Sequence, residues 1–175
     1  DDVKKKTKGR GVKVFLESEV TSNDGHRFSS TDVRNAIQIG DMVSVKDYLG
    51  RYFSLCGSVV KGQGRGKKIG FPTANILSEG SRIIPRNGVY KTLTTFSDME
   101  YHSITNVGVN PTFKDDKKTI AETNIFDFDN DIYGETLTVK FVEFIRPEMK
   151  FNSVNELTEQ IKKDVKLTKE FFKNA

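Results

Sequence analysis

The chain has 175 residues, a hydrophobic fraction of 35%, a net charge of +4, a pI near 9.0 and a mean hydropathy of −0.51. That is enough chain for one domain with its own core, and no apolar run is long enough to cross a bilayer as a helix, so no membrane partner is expected. A single cysteine excludes an internal disulfide, two histidines beside it argue against a Cys/His zinc site, and the basic balance suits either nucleic acid or a polyphosphate.

The N-terminus, DDVKKKTKGRG, is polar and basic and shows no secretory signal. It begins with Asp, as expected of a fragment or a processed form. VKVFL (12–16) reads as a short strand, followed by a turn at Asn23-Asp24-Gly25. FSSTDVRNAIQIG (28–40) reads as a helix, with Ser29 and Asp32 in a capping-box pattern and Gly40 at its end. Residues 41–50 read as a second short helix with Met42, Val45 and Leu49 inward. This α/β segment is too small to stand alone.

From residue 51 the pattern turns to β. Residues 52–60, 88–96, 100–109, 119–128 and 135–145 are rich in Val, Ile, Thr, Phe and Tyr, with partial alternation. No helical crossovers separate them, so the strands are expected to be antiparallel, and closure into a barrel would remove their edges. Cys56, between Leu55 and Gly57, reads as a small buried hydrophobe. The C-terminal stretch reads as a helix capped by Ser153 and Glu156. Val154, Leu157, Ile161, Val165 and Phe172 form its apolar stripe, expected to pack on the barrel and do no chemistry.

The segment VVKGQGRGKKIGFPTAN (59–75) carries the chemistry. Gly62, Gly64 and Gly66 allow backbone N–H groups to approach an anion, and Arg65, Lys67 and Lys68 add positive charge. The spacing matches neither a Walker A loop nor a dinucleotide fingerprint, and a flexible basic turn would share the composition. Pro72 stiffens the backbone around it, and an extended chain there would present Thr73 and Asn75 on one side. Their hydroxyl and carboxamide oxygens suit Mg²⁺ shared with phosphate, although a Pro-Thr turn with local hydrogen bonds would look the same.

G-x-G-R-G-K-K-I-G-F-P-T-A-N resembles the signature of the riboflavin kinase family. Four further blocks come in the family's order: P-x-N-G-V-Y (85–90), N-V-G-V-N-P-T-F (106–113), E-T-N-I-F-D-F-D-N-D-I-Y-G-E (122–135) and F-I-R-P-E-M-K-F (144–151). The resemblance runs from about residue 51 to the end. It implies a mainly β fold, a closed antiparallel six-stranded Greek-key barrel with a C-terminal α-helix. It also implies transfer of the ATP γ-phosphate to the 5′-hydroxyl of riboflavin, giving FMN. By the same resemblance Glu122 is the catalytic base, and Thr73 and Asn75 are the metal ligands. The nucleotide meets Gly62, Gly64, Arg65, Gly66, Lys68, Thr73, Asn124 and Tyr133, and the flavin meets Arg146, Glu148 and Phe151. Asn124 stands where the family commonly has His, and a carboxamide cannot become cationic.

R-F-S-S-T-D-V-R (27–34) resembles an element of bacterial FMN adenylyltransferases, where serines at a helix N-terminus and an Arg suit ATP phosphates. Residues 1–50 are therefore expected to be the remnant of a nucleotidyltransferase domain ahead of a kinase domain at 51–175. The partner domain's H-x-G-H-type motif is missing, so FMN but not FAD is the expected product, and the rest of that domain is the expected partner in the native polypeptide. The compartment is expected to be the cytoplasm. Two rivals are a basic β-barrel that binds RNA and an inactive flavin-binding remnant. Against the first, the basic residues gather in one glycine loop with no aromatic-interleaved stripe.

Overall fold

The computed structural model describes residues 2–7, 11–15, 21, 27–77, 83–109 and 119–174. The expected turn at 23–25 and the second half of the 106–113 block lie outside these. Two compact units are present, Asp1–Ser30 and Thr31–Ala175. The first contains helix α1 (Asp2–Thr7) and an isolated bridge between Thr21 and Arg27. Val12–Phe15 form no strand, contrary to expectation; Val12 and Phe15 are exposed, so alternation there has no buried face to stabilise it.

Helices α2 (Ser30–Ile39) and α3 (Met42–Leu49) agree with the sequence reading. Asp41 caps α3 by accepting from the Ser44 backbone N–H and hydroxyl, and Gly50 closes it in the left-handed region. Ala36, Ile37, Met42 and Val45 are buried in the same core as the barrel side chains. Compactness therefore divides the chain after Ser30, twenty residues before the change of composition at 50/51, because both helices bury apolar side chains in the core cluster they share with the barrel.

Six antiparallel strands close into a barrel: β1 (Phe53–Val60), β2 (Ala74–Leu77), β3 (Gly88–Phe96), β4 (Met99–Val109), β5 (Thr119–Ile125) and β6 (Thr136–Arg146). Their order around the ring is β1-β2-β5-β4-β3-β6. β3, β4 and β5 form a meander and β6 returns beside β3, which is Greek-key connectivity. A short helix α4 (Arg65–Lys68) lies in the connection from β1 to β2, and α5 (Val154–Asn174) ends the chain.

Alternation assigns the two faces of the wall. Leu55, Val59, Ile76, Tyr90, Val107, Ala121, Leu137, Val139 and Phe141 are buried inward. Cys56, next to inward Leu55 on that strand, is exposed on the outer face, which corrects the sequence reading. The interior also holds hydroxyls: Thr94–Ser103, Ser103–Thr92, Thr92–Thr105 and Thr105–Thr123 are bonded at 2.8–2.9 Å. Thr105 sits mid-ladder with two partners, so Thr105→Val should take the ladder bond from Thr123 and leave Thr92 with Ser103 alone. Stability should fall by about 1–3 kcal/mol, read as a lower urea midpoint at unchanged slope.

α5 packs over the outer face. His102 stacks on Phe172 at 4.3 Å, and buried Lys91 bonds Glu143 at 2.7 Å while lying 4.0 Å from the Phe171 ring. Val165 packs with Val89, Ile104 and Phe126. Val154, counted in the stripe from sequence, is exposed; the helix instead buries Asp164 and Thr168.

Candidate functional site

The outer face of the barrel carries one cross-strand row that register alone determines. Val89 on β3 pairs with Arg146 on β6 and with Asn106 on β4. Asn106 pairs with Glu122 on β5, and Glu122 with Asn75 on β2. Directly opposed residues have Cβ atoms about 4.5–5.5 Å apart, so Glu122 stands between two carboxamides. Arg146, Val89, Asn106, Glu122 and Asn75 all line a cavity of about 500 Å³ on this face.

The glycine loop forms one end of that cavity. Gly64 adopts φ +65° and opens α4, whose turn is closed by the Gly66 carbonyl accepting from the Ile69 and Phe71 N–H groups. The backbone packs closely here. A Cβ on Gly62 would lie 2.3 Å from Asn75 Nδ2, and one on Gly66 would lie 2.3 Å from the Phe71 carbonyl oxygen and 3.3 Å from Thr73 Oγ1. Gln63, Gly64, Arg65, Gly66 and Thr73 line the cavity, whereas Lys68 lies outside its lining. So does Tyr133, which is exposed at the root of the loop with Lys61 Nζ 5.9 Å from its ring. Gly62 touches the site through Asn75.

Asn124 also lines the cavity, and its Nδ2 donates to the Pro72 carbonyl at 2.6 Å. A carboxamide makes that bond at any pH, so here the residue ties β5 to the Phe71–Thr73 turn. Thr73 and Asn75 both reach the cavity, two residues apart on extended backbone. Two neutral oxygens fit a hard cation that shares its shell with phosphate oxygens; alone they are too few for an all-protein cage. Among the described residues no cluster of three His, Cys, Asp or Glu could replace them.

The other end is flavoured differently. Ile104, Met149, Phe151, Leu157 and Ile161 supply apolar wall, with Arg146, Glu148 and Asp164 among them. Glu148 sits against Gly108, where an added Cβ would lie 2.6 Å from its Oε1. The Glu122 carboxyl is raised above the usual carboxylate range. Desolvation by the cavity walls is the main cause; Arg65 opposes it and the negative charge of Glu148 adds to it.

The structure thus brings Glu122, Gly64, Arg65, Gly66, Thr73, Asn75, Asn124, Arg146, Glu148 and Phe151 into one cavity. Sequence reading misses Asn106, Phe71 and the α5 residues Leu157, Ile161 and Asp164. Asn106 is visible within its block and alternates with Ile104 and Gly108, which marks the outer face of β4. From sequence the helix offers packing alone, yet it forms a wall of the cavity.

Residues 49–172 match the Flavokinase family model, described as riboflavin kinase. A bifunctional riboflavin kinase/FMN adenylyltransferase of Listeria monocytogenes is 37% identical over 171 residues, covering 98% of this chain and 54% of that protein. An RNA-binding riboflavin kinase, RibR, of Bacillus subtilis is 41% identical over 111 residues, 63% of this chain and 47% of its own length. A crystal structure titled as a macrolide-efflux protein from Streptococcus pneumoniae superposes with a TM-score of 0.79 at 38% identity, covering 86% of this chain and 49% of that one. The chain spans about half the length of these relatives.

Proposed function

The chain belongs to the riboflavin kinase family, and on that premise we propose that it transfers the γ-phosphate of ATP to the ribityl 5′-hydroxyl of riboflavin, giving FMN and ADP. One observation carries the reading: a carboxylate with a raised pKa stands directly across the strand pair from Asn75, beside a loop of closely packed glycines.

In this reading the apolar end takes the isoalloxazine ring and the glycine loop takes the triphosphate. Backbone N–H groups near Gly64 and Gly66, with the Arg65 guanidinium, offset the phosphate charge. Glu122, as carboxylate, accepts the hydroxyl proton while that oxygen bonds to phosphorus and the bond to the leaving ADP oxygen breaks. Thr73 and Asn75 would hold Mg²⁺, which supplies charge neutralisation on the phosphates. Asn124 holds the turn that carries Thr73. The walls keep bulk water from competing for the phosphoryl group.

Residues 1–50 are, on this view, what the chain carries of an adenylyltransferase domain, the partner domain of the native polypeptide, and the enzyme works in the cytoplasm. The exposed lone cysteine suits that reducing compartment. Incubation with riboflavin, Mg²⁺ and ATP should give FMN and ADP in equal amounts by chromatography; no FMN would overturn the assignment. FMN with ATP should give no FAD, and labelled RNA should not be retained at physiological salt. FAD formation or RNA retention would overturn those two parts separately.

A further inference from the structure

Among the described residues, Arg146 and Asp164 form an ion pair in the cavity wall, with side chains 16% and 6% exposed. We propose that Asp164 is a positioning residue, which fixes the Arg146 guanidinium toward the ring end of a bound flavin. The inference rests on the kinase reading above.

Asp164 is 4% exposed on a helix face that otherwise offers Leu157 and Ile161 to the cavity. A carboxylate in that setting is costly unless it is paired and hydrogen-bonded. It is fully engaged. Its Oδ2 accepts from Arg146 Nε at 2.9 Å and from Nη2 at 2.7 Å, and its Oδ1 accepts from Gln160 Nε2 at 2.9 Å. The remaining nitrogen, Nη1, donates to the Pro147 carbonyl at 3.0 Å.

Guanidinium has five N–H groups, and these bonds use three. Nε is spent, which leaves one N–H on each Nη. The plane of the group is fixed by Asp164 on one side and by the Pro147 carbonyl on another, so the two free N–H groups have set directions. Arg146 lines the cavity, so a ligand there can meet them.

Position along the wall says which part of the ligand that is. Arg146 lies three strands from Glu122 in the cross-strand row, β6 to β3 to β4 to β5. Three strand spacings amount to about 14 Å measured along the curved wall. A substrate whose terminal hydroxyl reaches Glu122 therefore meets Arg146 far from the reacting oxygen. A planar heteroaromatic ring with carbonyl acceptors is the chemistry that uses two oriented N–H groups beside an apolar slab. Nothing in this geometry bears on phosphorus, so the contribution is to flavin affinity and not to the chemical step.

Steady-state kinetics and riboflavin fluorescence quenching test this. Asp164→Asn keeps the shape and removes the charge that orients the guanidinium. The riboflavin KM and dissociation constant should rise about tenfold, the factor of one charge-assisted hydrogen bond, with kcat and the ATP KM within twofold. Arg146→Lys should give the same rise, and the double variant no more than either alone. Gln160→Met, which leaves the ion pair in place, should give a smaller rise in the same direction and serves if Asp164→Asn does not fold. A lowered melting temperature with an unmoved riboflavin KM would mean a purely structural clamp and overturn the proposal. A wild-type chain that makes no FMN would overturn the function and this inference together; a turning-over wild type with unchanged Asp164→Asn and Gln160→Met constants overturns this inference alone.

Discussion

Glu122→Gln should lower FMN formation by about 10²–10⁴-fold, the usual worth of a positioned general base. Gln has the same shape and can still bond to a hydroxyl, but it cannot take its proton. The neighbours Asn75 and Asn106 are carboxamides, and neither can take over the role. Saturating riboflavin should leave the deficit in kcat. The raised carboxyl also sets the wild-type pH profile. In the proposed mechanism the working form is the carboxylate, so turnover should decline as pH falls through a pKa above the ordinary value, and level off above it. The same shift bears on stability. Between the unfolded and folded pKa values the folded state binds more protons, so stability declines as pH rises through that window. Glu122→Gln removes this penalty and should melt no lower than wild type above it. A variant that keeps near wild-type turnover would remove Glu122 from the chemistry.

Gly66→Ala should reduce kcat/KM for ATP by about 10²-fold, the cost of an ångström of misplacement at a reacting centre. The methyl would meet the Phe71 carbonyl oxygen at 2.3 Å, and that atom is backbone. Relief requires the turn from Phe71 to Thr73 to move, which shifts the Thr73 hydroxyl and strains the bond from Asn124 to the Pro72 carbonyl. Riboflavin quenching should change little, because the apolar end lies across the cavity. Gly64→Ala is the control. Its φ of +65° carries a left-handed penalty of about 1–2 kcal/mol, but nothing lies within 4 Å of the added methyl. It should affect ATP use less than Gly66→Ala. Equal effects would mean that loop flexibility, and not close packing, governs nucleotide binding.

The barrel is largely legible in the sequence because its long strands combine β-branched and aromatic composition with turn residues between them. β2 reads only as an extended stretch, since four residues after a proline give no period to measure. Cys56 is misplaced by sequence because an apolar neighbourhood along the chain is not one in space: Leu55 faces inward, so Cys56 faces out. The glycine loop announces itself by composition, and Glu122 by its block. Their meeting is not legible, because it depends on register between strands some fifty residues apart, and register is settled by loops and by closure of the ring. Asp164 is hidden for a related reason. A charged residue on a mostly polar helix looks solvated until its partner on β6 is known. Lys68 and Tyr133 lie in matched blocks but outside the cavity lining.

The hydroxyl ladder and the row that lines the cavity occupy opposite sides of the same strands, and this has a consequence for how the protein can change. Along β5, Ala121, Thr123 and Ile125 face the barrel interior, while Glu122 and Asn124 line the cavity, where the proposed substrate would lie. A saturation scan scored for both cellular abundance and flavin phosphorylation should therefore show a two-residue beat, with odd positions lowering the first and even positions the second. Selection for a sturdier protein and selection for a new acceptor alcohol could then proceed through separate sets of codons, interleaved one by one in the same stretch of gene.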